Sequence, residues 1–227
     1  MRIVVPRNRA VFAVLLTGCA LATALLSQRP APPPPSPMAS AADVFTRRLV
    51  AAASERPTHT VRYDGAYVRL KYPGGDVPAN VGVCTDEIIR IYRVLDIDLQ
   101  KEVHEDMSRN FARYPRSFGL ARPDSNIDHR RVPNLRVFFA RRGESLPITH
   151  NAADYLPGDI VTWDLGGRLG RGLTHIGIVV DHMFGNRHGI VHNIGAGPQL
   201  EDVLFSWKIT GHYRYRGPAA SAIALRE

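Results

Sequence analysis

The sequence predicts an α+β fold, in which helices come first along the chain and an antiparallel set of strands follows. Two observations support this class. From residue 41 to about residue 111, apolar residues recur at helical spacing, whereas from about residue 135 onward they alternate or form short runs typical of strands. The 227-residue chain is long enough for one such domain and its core.

Three helices are predicted in the first part of this domain. Residues 41–53 form an amphipathic pattern, and residues 99–111 form a second helix with a polar face. The strongest pattern covers residues 82–95, which begin with the helix breaker Gly82. One apolar face of that helix is formed at i, i+3, i+4 and i+7 by Ile88, Ile91, Tyr92 and Leu95.

Strands are predicted mainly in the second part of the chain. Residues 61–70 also have β character, and residues 114–133 are irregular and dense in polar residues. The predicted strands of the sheet cover residues 135–140, 159–163, 174–181, 189–194 and 212–215.

The N-terminus predicts export from the cytoplasm. Residues 1–27 combine early arginines with an apolar run, and residues 28–40 are a proline-rich linker. The sequence around Cys19 resembles a lipobox, which makes Cys19 a candidate lipidation site. Simple cleavage near residues 38–41 and a short uncleaved anchor stay open as alternatives. The predicted domain then covers residues 41–217, followed by a tail over residues 218–227.

The charge balance gives no support to nucleic-acid binding. The net charge of the chain is +8, but residues 1–37 hold four arginines and no acidic residue, so +4 belongs to the remainder. That remainder has no dense basic run, and nothing in it indicates a cofactor. A mildly basic balance suits an anionic polymer of the cell envelope without identifying one. The oligomeric state is left open.

Cys84 is the only cysteine outside the N-terminal segment, so the domain holds no internal disulfide. It stands where a helix is predicted to begin, and the positive end of a helix dipole favours the thiolate. We therefore expect a reactive, functional thiol. The alternative is an inert buried cysteine that packs as a small hydrophobe.

Two histidines of the predicted sheet are candidate partners of this thiol. His175 and His192 lie on strands that can pair as a hairpin, and Gly177 leaves space for a close approach. A nucleophilic cysteine needs a base, and the base needs an orienting group. His175 fits the first role, and His192 or Asn193 fits the second. Either histidine is alternatively a satisfied structural residue of the sheet.

Longer motifs resemble a known group of proteins. P-G-D-I-V-T-W, T-H-I-G-I-V-V and I-V-H-N-I-G resemble the strand motifs of NlpC-type papain-like cysteine peptidases of bacterial cell walls. Y-P-G-G-D-V-P, G-V-C-T-D and N-I-D-H-R-R-V-P-N-L resemble the bacterial domain-of-unknown-function family numbered 1287, of the same clan. The resemblance covers residues 41–216. It implies a papain-like fold, with N-terminal helices on a small curved antiparallel sheet, and a site of Cys84, His175 and His192.

The sequence departs from the cell-wall peptidases around the thiol, where Val83 and Thr85 replace the aspartate and serine that flank their cysteine. The carboxylates of Asp86 and Glu87 oppose thiolate formation, and an imidazolium at His175 would have to outweigh them. The candidate substrate contacts are Tyr72, Asp86, His129, Arg130 and Arg131, with Arg168 also bordering the groove that the resemblance implies. Alternatively, Tyr72 packs against its turn, and the polar loop is pinned by internal Asp–Arg hydrogen bonds.

Two functions are predicted, from different classes. The first is an exported cysteine hydrolase that cleaves amide bonds, with peptidoglycan stem peptides as the substrate, in the periplasm or cell envelope. The second is a non-catalytic envelope module of the same fold that binds wall peptide or protein. Membrane contact is expected only through the N-terminal segment. A weaker third hypothesis is a metal site built from His175, Asp181, His182 and His192, although no ligand spacing is diagnostic.

Overall fold

The computed structural model describes residues 40–116, 118–119, 121–166 and 174–218. The predicted export signal, its Cys19 and all of the linker except residue 40 lie outside the described residues, as do Arg168 and all but the first residue of the predicted tail. Within the described ranges, no helix combines the length and apolar character needed to cross a membrane.

In these described ranges, four α-helices form the helical part of the domain. They are α1 (Ala41–Glu55), α2 (Cys84–Arg93), α3 (Leu99–Asn110) and α4 (Val132–Arg142). Side chains fix their starts: Ser40 Oγ accepts the Asp43 N–H at the start of α1, and an Asp98 carboxylate oxygen accepts the Gln100 N–H at the start of α3. Short 3₁₀ turns cover Arg56–Thr58, Phe111–Arg113, Asp128–Arg130 and Ala152–Asp154.

The described residues also form two sheets. Strands β1 (Arg62–Tyr63) and β2 (Val81–Gly82) form a small parallel pair just before α2. The strands of the main sheet are β3 (Glu144–Ser145), β4 (Ile160–Asp164), β5 (Thr174–Phe184), β6 (Arg187–Asn193), β7 (Pro198–Glu201) and β8 (Lys208–Arg214). They follow the order β3-β8-β4-β5-β6-β7, and every neighbouring pair is antiparallel.

The alternation of side chains along β5 divides the core between the two faces of the sheet. Ile176, Ile178 and Val180 pack in the larger cluster with Cys84 and the apolar face of α2. Val179 packs on the opposite face with a smaller cluster. Helices therefore cover one face of the antiparallel sheet, which confirms the predicted α+β class.

One predicted element is wrong in type. Residues 135–140 were expected to form a strand, but they lie inside α4. Pro133 occupies the first turn of α4, where a missing N–H costs nothing, and Leu135, Phe138 and Phe139 share a buried helical face. A short apolar run does not distinguish a strand from a buried helix by periodicity alone. The prediction also overextended the β region at residues 61–70, where only Arg62–Tyr63 is a strand, and it missed β2, β3 and β7.

Candidate active site

Cys84 is the first residue of α2, and local hydrogen bonds fix its position. Asp86 Oδ2 accepts the backbone N–H of Val83 at 2.7 Å, which closes the first turn of the helix. Gly82 permits a close approach here, because a Cβ at this position would lie 3.1 Å from the Asp86 Cβ and 3.2 Å from an Arg90 guanidinium nitrogen. The chain therefore enters α2 in one tightly held conformation.

The thiol of Cys84 is buried, and the residue is only 4% exposed. Burial raises its pKa to about 12, and the Asp86 carboxylate acts in the same direction. The backbone N–H groups of Ile176, Thr85 and Cys84 itself approach the sulfur and lower the pKa, but they do not outweigh burial. The expectation that the helix start makes the resting thiol a thiolate is therefore wrong, because desolvation is the larger effect.

Tyr63 is a neighbour of this thiol that the sequence did not single out. It pairs with Gly82 across the small parallel sheet, two residues before Cys84, and it is 42% exposed. Burial of the phenol, followed by the charges of Cys84 and Asp86, raises the pKa of Tyr63 to about 12. Tyr63 thus lies close enough to Cys84 and Asp86 for their charges to act on its phenol. Only its β character was visible in the sequence.

The structure brings His175 and His192 into direct contact. Gly177 on β5 pairs with His192 on β6, and His175 Nε2 lies 2.8 Å from His192 Nδ1. Gly177 is required for this contact, since a Cβ there would lie 2.7 Å from Ile190 Cγ2 and 3.2 Å from the His192 Cβ. Both histidines are 1% exposed.

His175 is held as a neutral imidazole. Burial and then the neighbouring His192 lower its pKa to about 3, and its ring lies against Trp163 and Trp207 at centroid distances of 5.8 and 6.0 Å. The lowered pKa of His175 disfavours an imidazolium that could offset the carboxylates of Asp86 and Glu87. Among the described residues no hydrogen bond joins Cys84 to either histidine. The sulfur instead approaches the N–H of Ile176, and Cys84 packs with Ile176 on the helix-covered face of the sheet. His175 shares the opposite face with Val179, and its ring lies against Trp163 there, so the resting structure does not bring the thiol and this imidazole together.

His192, rather than Asn193, is the partner of His175. The Asn193 side chain points elsewhere and accepts the Gly195 N–H at 3.1 Å, and its Nδ2 is buried without a hydrogen-bond partner. The second ring nitrogen of His192 reaches a carboxylate, with Nε2 lying 2.9 Å from Glu201 Oε2. Glu201 was missed from the sequence because its strand, β7, was not predicted.

Asp86 and Arg130, two of the predicted substrate contacts, face the interior instead. Arg130 Nε and Nη2 donate to the two carboxylate oxygens of Asp86 at 2.8 and 3.0 Å, and both side chains are 2% exposed. Arg130 also donates to the carbonyl oxygens of Ala66 and Asp64. This buried bidentate pair ties the start of α2 to the segment that follows Tyr63, which leaves neither side chain a surface for substrate.

The other three predicted substrate contacts have different environments. His129 is 2% exposed, and burial lowers its pKa to about 3, so it faces the interior as well. Arg131 is half-buried, with its guanidinium 4.0 Å from the centroid of the Phe118 ring. Tyr72 is 40% exposed and contacts His104 edge-on. Of the five residues, Tyr72 and Arg131 alone keep accessible surface.

A cavity of about 860 Å³ lies between the segment after Tyr63 and the polar loop. None of the three candidate catalytic residues lines it. Its walls include Tyr67, Arg69, His104, Arg122 and Asn126. The open groove that the resemblance implies beside Cys84 is thus not this cavity.

The metal hypothesis receives no support from the geometry. Over the described part of the chain, no group of three or more His, Cys, Asp or Glu residues is arranged to hold a metal ion. Asp181 and His182 lie where the β5–β6 register shifts, beyond Val180, and the His182 ring contacts Phe184. His175 and His192 use their facing nitrogens on each other.

We expect slow alkylation of Cys84 by iodoacetamide at pH 7, because both the burial of the sulfur and its raised pKa limit the thiolate. Below a pKa of about 12 the thiolate fraction rises tenfold per pH unit, so the rate should keep rising from pH 7 through pH 10. A free cysteine levels off above about pH 8.5. The Cys84→Ala variant gives the background alkylation of the other cysteine, Cys19. Alkylation faster than that of free cysteine at pH 7 would contradict the buried neutral thiol.

Comparison with known proteins identifies the family. A family model described as "Domain of unknown function (DUF1287)" matches residues 50–215, so the chain belongs to this family, as the resemblance predicted. A relative from Escherichia coli (strain K12), "Uncharacterized protein YijF", is 57% identical over 159 residues, which cover 69% of this chain and 75% of the relative.

Two solved structures are among the matches of this chain. They are NlpC1 and NlpC2 from Trichomonas vaginalis, with 17% and 18% sequence identity and a TM-score of 0.43 in each case. The match covers 78% of this chain but 46% and 48% of theirs, so the chain spans about half the length of those proteins.

Proposed function

We propose that this protein is an exported cysteine hydrolase that cleaves amide bonds, with peptidoglycan stem peptides as its substrate class. The observation that carries the proposal is the site around β5. The Cys84 sulfur approaches the N–H of Ile176, while the preceding residue, His175, is hydrogen-bonded to His192. A thiol, a base and a group that orients the base are the parts that acyl transfer on cysteine requires.

The resting protonation states favour a general-base mechanism over a preformed ion pair. As the Cys84 sulfur bonds to the substrate carbonyl carbon, its proton passes to His175. This step requires the His175 ring to turn from Trp163 and Trp207 toward the sulfur. His175 then gives that proton to the leaving amine as the C–N bond breaks, which leaves a thioester on Cys84. Water attacks the thioester and gives one proton to His175. The acid product leaves, and His175 returns the proton to the sulfur.

Backbone groups supply the charge stabilisation that this mechanism needs. The N–H groups of Cys84 and Thr85 at the start of α2 approach the sulfur, and the positive end of the helix dipole lies there. An oxyanion formed next to the sulfur meets the same donors. The Asp86–Arg130 pair keeps these donors in place, since Asp86 also binds the Val83 N–H.

The substrate class follows from the predicted location. An export signal over residues 1–27 and a proline-rich linker would hold the domain outside the cytoplasm, where peptidoglycan is an abundant polymer with exposed amide bonds. Tyr72 and Arg131 keep accessible surface for contact with such a peptide. The +4 charge of the chain after residue 37 predicts binding that is only mildly sensitive to salt.

The second candidate is a non-catalytic module that binds wall peptide. The observation that favours it is the resting thiol itself, which is 4% exposed, has a pKa of about 12 and makes no hydrogen bond to His175 among the described contacts. A structural cysteine has this environment too.

Digestion of purified wall fragments by wild type and Cys84→Ala, followed by mass spectrometry, separates the two functions. If the protein is a hydrolase, wild type produces new stem-peptide ends and Cys84→Ala produces none above background. Circular dichroism should show that both proteins are folded. Retained turnover by Cys84→Ala excludes the thiol mechanism. If wild type binds muropeptides without cleaving them, the binding module is the correct function.

A further inference from the structure

Glu201 completes a chain of hydrogen bonds that begins at His175. His175 Nε2 lies 2.8 Å from His192 Nδ1, and His192 Nε2 lies 2.9 Å from Glu201 Oε2. The three residues lie on the neighbouring strands β5, β6 and β7, and their side chains share the face of the sheet that carries Trp207. The two histidines are buried, whereas the Glu201 side chain is 46% exposed.

The chemistry of these groups assigns each proton in this series of hydrogen bonds. A carboxylate only accepts hydrogen bonds, so His192 Nε2 carries a proton. Burial lowers the pKa of His192, although Glu201 opposes this effect, and a neutral His192 has its lone pair on Nδ1. The short contact then requires His175 Nε2 to donate. In a neutral His175 the remaining nitrogen, Nδ1, is the unprotonated one.

We propose that Glu201 is a positioning residue that fixes the tautomers of His192 and, through it, of His175. Its carboxylate makes His175 Nδ1 the basic nitrogen, and no hydrogen bond among the described residues occupies that atom. The role in catalysis rests on the proposed hydrolase function, but the proton arrangement belongs to the resting protein and is measurable without any substrate.

The position of Glu201 suits this role better than a general structural one. Glu201 is the last residue of β7, at the edge of the sheet. The next residue, Asp202, forms an ion pair with Arg187 on the neighbouring strand β6. Asp202→Ala therefore removes the ion pair with Arg187 at the same edge and leaves the Glu201–His192 hydrogen bond in place. It is the matched control for the loss of Glu201.

The test uses the full chain labelled with ¹⁵N-histidine and long-range proton–nitrogen correlation spectra, assigned with His175→Gln and His192→Gln. Wild type and Asp202→Ala should show a protonated Nε2 and an unprotonated Nδ1 for His192. Glu201→Gln should keep this tautomer, because the amide oxygen also accepts the Nε2 proton. Glu201→Ala should lose it and show mixed or reversed signals.

Activity on wall fragments provides the second measurement. Glu201→Ala should lower kcat about 10- to 100-fold, by analogy with the removal of a carboxylate that orients a metal-binding histidine, and Glu201→Gln should recover most of it. Unchanged His192 signals in Glu201→Ala overturn the proposal even if the protein is an active hydrolase. Altered signals in a protein without turnover leave the proton arrangement standing and contradict the hydrolase function instead.

Discussion

Replacing His175 with alanine is expected to lower kcat on wall fragments by roughly 10²- to 10⁴-fold, the contribution typical of a general base. The loss is large because the Cys84 thiol has a pKa of about 12 and depends on a base to release its proton during attack. The measurement is steady-state cleavage at pH 7 under saturating substrate. Replacing the exposed His59 with alanine should leave the rate unchanged and is the control for a general histidine effect.

The variants of His192 separate orientation from proton transfer. His192→Ala removes the acceptor of the His175 Nε2 proton and should cost less than His175→Ala. His192→Asn should cost less still, because an amide oxygen accepts the same proton. Equal losses for the two His192 variants would contradict an orienting role for this residue.

Replacing Arg130 with alanine is expected to lower the free energy of unfolding by about 3–5 kcal/mol, as is typical when one partner of a buried ion pair is removed. The Asp86 carboxylate would then be left buried, and the segment at Asp64 and Ala66 would lose its guanidinium donor. Urea unfolding followed by circular dichroism measures the effect.

Arg48 offers the matched control for this loss of charge. Its side chain is exposed on α1, and no ion pair involves it among the described contacts, so Arg48→Ala should change the free energy of unfolding by no more than about 0.5 kcal/mol. A change of similar size for Arg130→Ala would show that the Asp86–Arg130 pair does not hold the start of α2.

Regular periodicity made most of the fold predictable. The helical spacing at residues 82–95 correctly indicated α2, and alternation at residues 174–181 correctly indicated β5 and its two faces. The error at α4 has a local cause, since its apolar run contains β-compatible residues and only Pro133 indicated a helix start. Strand β7 was missed because four residues beginning with proline carry too little pattern.

The functional site was only partly predictable, because its electrostatics depend on tertiary packing. Spacing alone indicated that His175 and His192 can meet, but it did not reveal Glu201. The sign of the Cys84 pKa shift could not be read from the helix start, since burial by β5 outweighs the dipole. Likewise, the sequence shows Asp86 and Arg130 only as two charged residues. It does not reveal that they form a buried ion pair with each other.

A covalent intermediate on Cys84 tests the central claim most directly. Wild type is mixed with purified muropeptides, quenched with acid during turnover, and analysed by intact-mass spectrometry and peptide mapping. The account predicts a mass increase equal to the acyl part of the cleaved stem peptide, located on the peptide that contains Cys84 and absent from Cys84→Ala. Turnover at the same rate in both proteins, with no adduct on Cys84, would contradict it.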